Sequence, residues 1–143
     1  MDSKTAEQRL RRFLLAVTAA IYLGTIFELV LIGHYQETLQ WTPFLISDIG
    51  FIILLVVWFK PSKKALVVLR WVMILTALGS LLGVYLHFTG NLAFTREINP
   101  SFTLAESIWP AMKGSYPLLA PGILFLAAVL GCAATWKHPL LRG

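Results

Sequence analysis

Residues 114–136 read GSYPLLAPGILFLAAVLGCAATW, a run of 23 positions with no Asp, Glu, Lys or Arg. As a helix rising about 1.5 Å per residue, this run exceeds the roughly 30 Å hydrocarbon thickness of a bilayer. Residues 71–88 form a second uncharged run. Two more are interrupted once each, residues 13–34 by Glu28 and residues 42–59 by Asp48. The 143-residue chain is 57% hydrophobic and 13% charged with a mean hydropathy of +0.74, too apolar for a water-soluble domain of this size. The pattern predicts an all-α polytopic membrane protein: one four-helix transmembrane domain filling residues 1–143. Its helices are expected over about 13–34, 42–59, 65–88 and 117–136, with residues 89–116 as an outer loop.

The net charge of +5 does not point to nucleic acid, because the basic residues flank the apolar runs. Lys4, Arg9, Arg11 and Arg12 precede the first span, and Lys60, Lys63, Lys64 and Arg70 surround the second turn. Lys137 and Arg142 follow the fourth span, which leaves only Arg96 and Lys113 on the other side. Such a bias predicts cytoplasmic N and C termini. Trp58, Trp71 and Trp136 at the inner ends and Trp41 and Trp109 at the outer ends fit interfacial belts with the same orientation. The first span has the basic start of a signal peptide but a longer apolar run and no small-x-small cleavage site, so it is expected to stay attached. Cys132 is the one cysteine, which excludes an internal disulfide; it reads as a small core residue near the inner end of the fourth span.

Residues 2–12 form a short basic amphipathic lead. Within the outer loop, Thr103 and Glu106 have capping-box spacing, and Phe102, Ala105, Trp109 and Met112 recur at helical intervals. These predict a short amphipathic outer helix on the outer leaflet, ended or bent at Pro110; the alternative is a loop folded over the bundle mouth.

Gly79, Gly83 and His87 share one face of helix three, and Ala20, Gly24 and Glu28 share one face of helix one. Small residues at this spacing let helices approach closely, which directs Glu28 and His87 toward neighbouring helices. Counted from Arg12 and Arg70, both lie about 24–26 Å above the inner boundary, a depth at which they could touch. Asp48, counted from Lys60, lies about 18 Å above the same boundary. Glu28, Asp48, His87 and Asn91 thus form the expected buried polar site, with His34, Tyr35 and Glu97 as a secondary outer set. An ionised carboxylate near the bilayer centre costs about 2.5–3.5 kcal/mol on insertion scales and usually marks function. The bland alternatives are an interhelical hydrogen bond or a surface-reaching side chain for His87, a tyrosine partner for Asp48, and an interfacial position for His34.

A metal, if any, would draw on Glu28, His87 and His34 from different helices, because no HxxxH, ExxH or Cys/His cluster is present. Placed about 9 Å above Glu28 by helical rise, His34 makes a bis-histidine haem an unfavourable expectation. No phosphate-binding glycine loop or Ser/His/Asp arrangement is recognisable, so catalysis is not the favoured reading.

The stretches GHY at 33–35, LHFTGNLAFTRE at 86–97, LAPG at 119–122 and KHP at 137–139 together resemble an uncharacterised family of small four-span proteins of the bacterial inner membrane. The resemblance covers most of the chain and brings no activity with it. It implies a multi-pass protein of that membrane and adds weight to His87, Asn91 and Glu97.

The leading functional expectation is a small accessory or assembly subunit of a larger inner-membrane complex, in contact with lipid and with other membrane subunits or copies of itself. In it the polar residues serve as structural contacts or line a proton or quinone route. The competing expectation is a self-contained, homo-oligomeric site for a transition metal or protons, in a small carrier, transporter or oxidoreductase. A third is a structural protein whose outer segment touches a periplasmic partner.

Overall fold

The computed structural model describes residues 3–142, and among them every regular element is helical. Five α-helices follow in order: α1 Ser3–Leu31, α2 Thr42–Phe59, α3 Lys63–Ile98, α4 Leu104–Met112 and α5 Leu119–Ala134. Three segments are long and apolar enough to cross a membrane, Thr5–Leu31, Thr38–Phe59 and Lys63–Ile98. The fourth apolar helix, α5, has 16 residues, shorter than the 117–136 expected.

Each boundary has a local cause. The lead, described from Ser3 onward, is continuous with the first span, because no Gly or Pro interrupts it and Glu7 pairs with Arg11 one turn on at 3.2 Å. Its start at Asp2 lies outside the described residues. α1 stops at Leu31, three residues early, in a left-handed cap: Gly33 sits at φ +66°, its N–H donates to Val30 O and the His34 N–H donates back to Leu29 O. α2 spans its expected residues, with Pro43 in the first turn, where no amide is needed. It ends at Phe59, just before the Lys60-Pro61 step. Ser62 then caps α3, its hydroxyl accepting the Ala65 N–H at 3.1 Å.

The largest departure from expectation is the length of α3. It continues ten residues past 88, so that 89–98 is helix rather than loop. Gly90 does not stop it, since glycine inside a helix costs only about 1 kcal/mol, and Asn91 and Thr95 are buried just beyond. The Thr103–Glu106 capping box forms as expected and starts α4. Pro110 lies inside α4 instead of ending it, and α4 packs on α3 through the small residues Ser107 and Ala111. The bulky Leu104, Ile108, Trp109 and Met112 face outward.

α1, α2, α3 and α5 form an up-down bundle in which α1 and α3 each pack on α2 and α5. The buried positions of α1 are Leu15, Thr18, Tyr22, Thr25 and Leu29, a heptad-like alternation of three and four. Those of α3 include Leu66, Leu69, Met73, Thr76 and Ser80. At the centre Tyr22 crosses the bundle, its hydroxyl 3.0 Å from Thr76 Oγ1 and within 3.7 Å of Met73 Sδ. A Cβ on Gly50 would overlap the Tyr22 ring, and one on Gly131 would overlap the Met73 sulfur. The Gly79/Gly83 face serves two neighbours: Gly79 meets Ile46 of α2 and Gly83 meets Pro121 of α5.

Candidate functional site

Rungs between α3 and α5 set the heights of the polar residues. At one end Arg70 donates through Nε to Thr135 Oγ1 and through a terminal nitrogen to Thr135 O, both at 2.9 Å. Halfway up, the Ser80 hydroxyl donates to Pro121 O. At the other end His87 Nδ1 lies 3.0 Å from Pro117 O, and Asn91 pairs with Tyr116. From Arg70 to His87, α3 rises about 26 Å, close to a bilayer core.

The far end is a compact polar cluster. Asn91 is buried and holds the Tyr116 backbone twice, Nδ2 donating to the carbonyl at 2.7 Å and Oδ1 accepting the N–H at 2.9 Å. Gly114 makes this possible, because a Cβ there would overlap the Asn91 amide. A carbonyl only accepts, so His87 donates from Nδ1 to Pro117 O, and its neutral ring keeps an acceptor lone pair on Nε2. The His87 ring lies 5.9 Å from that of Tyr116. Partial burial, and then the charge of nearby His87, push the His34 pKa below the ordinary histidine value. The two histidines are therefore close, which corrects the expectation that His34 stands well above His87. Rise was counted along a straight helix, whereas the Gly33 cap turns the chain back one residue before His34.

The carboxylates do not join this cluster. Ala20, Gly24 and Glu28 are all exposed, so the small-residue face of α1 points away from the core. Glu28 lines an open groove of about 420 Å³ between α1 and α5, with Gly24 and Thr25 on one side and Leu119, Ala120 and Ile123 on the other. Asp48 is exposed on α2, beside buried Ser47, whose hydroxyl has no hydrogen-bond partner. Neither carboxylate is bonded to His87. Glu97 is exposed on the last turn of α3, and Tyr35 is exposed with its ring 6.4 Å from Trp41. Among the described residues, no three His, Cys, Asp or Glu side chains come together as a metal would require, so Glu28, His34 and His87 are not assembled into a metal site within one chain.

At the opposite end, sequence reasoning missed a basic recess of about 720 Å³ at the mouth of the bundle. Its residues come from the start of α1, the end of α2, the turn before α3 and the segment after α5. The signal was the flanking arginines, which were read for orientation alone.

The fold defines the class: a polytopic all-α protein whose three long apolar helices fit a membrane protein. No family model, curated protein or solved structure matches the chain.

Proposed function

We propose that this is a four-span protein of the bacterial inner membrane, with both termini cytoplasmic, that works as an accessory or assembly subunit of a larger membrane complex. The observation that carries the reading is the outward direction of Glu28 on the Ala20–Gly24–Glu28 face. A carboxylate facing lipid in the outer part of a span is costly, whereas one facing a partner helix that brings a donor or a cation is not. Gly24 has open space where a side chain would be, so a partner backbone has room to approach. The occupant we assign is a transmembrane helix of another subunit, with a basic or hydrogen-bonding side chain opposite Glu28. Asp48, outward on α2, offers a second such contact. The α3–α5 rungs support a fourth span, since α5 and its flanks cover the height of α3 from Arg70 to His87.

The second reading, a homo-oligomeric site for protons or a metal, draws on the closeness of His34 and His87. It needs further ligands from another copy, because one chain does not bring three together among its described residues.

A photo-crosslinking residue at Gly24, followed by mild-detergent purification from the native membrane and mass spectrometry, tests the proposal. The expected result is one recurrent foreign membrane subunit, lost in Glu28→Leu. Cross-links to this chain alone, with stoichiometric metal lost in His87→Ala, would favour the second reading. Cross-links to lipid alone would overturn both.

A further inference from the structure

We infer that the recess at the inner end of the bundle is a binding site for a phosphate ester. Three arginines line it, Arg11, Arg12 and Arg142, against one carboxylate, Glu7. Glu7 and the backbone already engage Arg11, whose guanidinium donates to Glu7 at 3.2 Å and to the carbonyls of Trp136 and Lys137 at 3.3 Å each. This fixes the wall formed by the chain after α5. Arg12 and Arg142 are exposed. Arg12 lies 5.3 Å over the Trp58 ring, which holds its planar fork at the mouth without using its in-plane donors.

Guanidinium forks match phosphate oxygens in pairs, and phosphate carries the charge to offset three cations. His138 adds a fourth donor. Its Nδ1 accepts the Leu140 N–H at 3.3 Å, so the neutral ring carries its proton on Nε2. Burial, then the charges of Arg11 and Arg70, hold His138 below the ordinary histidine pKa, as a positive local field requires.

The walls say what accompanies the phosphate. Leu15, Val57 and Leu66, all buried, line the recess. The volume of about 720 Å³ is within the range of organic ligand sites and far above what a bare anion needs. The ligand is thus a phosphate mono- or diester with an uncharged or apolar body. An anionic phospholipid headgroup and a soluble phosphate ester share this chemistry, and basic recesses between helix ends suit the former.

The test uses the full chain in an uncharged maltoside detergent. In one arm, micelles are doped with dioleoylphosphatidylglycerol or dioleoylphosphatidylcholine and bound lipid is read by native mass spectrometry; in the other, glycerol 3-phosphate is titrated calorimetrically. Selective retention of phosphatidylglycerol assigns the lipid source, and saturable heat with glycerol 3-phosphate assigns the soluble one. In either case the doubly substituted Arg12→Gln/Arg142→Gln protein binds about tenfold or more weakly, as loss of charge-assisted hydrogen bonds requires. Arg96→Gln, at the far end, binds as wild type. Circular dichroism melting checks that the double variant is folded, which is expected because neither exposed side chain supports the bundle. No selective binding in either arm, binding unchanged in the folded double variant, or equal loss in Arg96→Gln would overturn the assignment.

Discussion

Asn91 and Tyr116 are joined as two strands of a sheet would be, one side-chain amide exchanging both hydrogen bonds with one backbone unit at 2.7 and 2.9 Å. The amide is buried, so the segment between α4 and α5 is anchored to α3 at a point where water does not compete.

Asn91→Ala leaves the Tyr116 N–H and carbonyl without partners, and the expected loss is about 2–4 kcal/mol of stability. Chemical denaturation in detergent measures it. Gly114→Ala, which pushes a methyl into the same amide, is expected to destabilise in the same direction. A loss below about 0.5 kcal/mol for Asn91→Ala, the size of an ordinary surface substitution, would mean that the anchor contributes nothing.

Gly50 is required by the Tyr22 ring. Gly50→Ala should cost about 1–3 kcal/mol through overpacking. The same substitution in a Tyr22→Leu background, where the ring is gone, should cost clearly less. Additive losses in the double-mutant cycle would show that the two residues do not meet.

Glu106 accepts the Thr103 N–H and the Thr103 hydroxyl, each at 2.8 Å, and these bonds hold its carboxyl below the ordinary glutamate pKa. Because the folded pKa is depressed, the stabilisation is present above the unfolded pKa and is lost as pH falls through the folded one. Amide exchange in α4, corrected for intrinsic rate, should therefore lose protection on acidification to about pH 3. Glu106→Gln should flatten that response. An equal response in both proteins would remove the capping box as its cause.

For the histidine pair, His87→Gln removes one of the two influences that lower the His34 pKa. An NMR titration of labelled imidazoles should show the His34 pKa rising while staying below the ordinary value, since burial persists. In the intact protein the unfolded His34 binds its proton first as pH falls. Its folded pKa is depressed, so stability declines as pH drops from the ordinary histidine range through the folded pKa. An unchanged His34 titration in His87→Gln would show that the rings do not sense each other.

Several of these features were legible beforehand. Thr103 and Glu106 declared the start of α4 because a capping box is a contact between residues three apart. The bounds of α2 followed from Pro43 and Pro61, which act on their immediate neighbours. The overrun of α3 past 88 was not legible. What sustains it is burial of Asn91 and Thr95, and Asn91 meets a backbone unit 25 residues away.

The four apolar runs and the heights of their polar residues along each helix were set by the sequence alone, because length, charge and rise are one-dimensional quantities. Which way each residue faces was decided only by the tertiary structure. In a water-soluble bundle polarity marks the outside, but here exposed Leu23, Phe27, Leu75 and Leu78 are more apolar than buried Thr18, Ser47, Thr76 and Ser80. Against an apolar surrounding, burial selects small side chains that pack closely and hydroxyls that find partners, not hydrophobicity. Glu28 could thus be placed at its height from the sequence. Only the packing of Leu15, Tyr22 and Leu29 into the core turned its face outward.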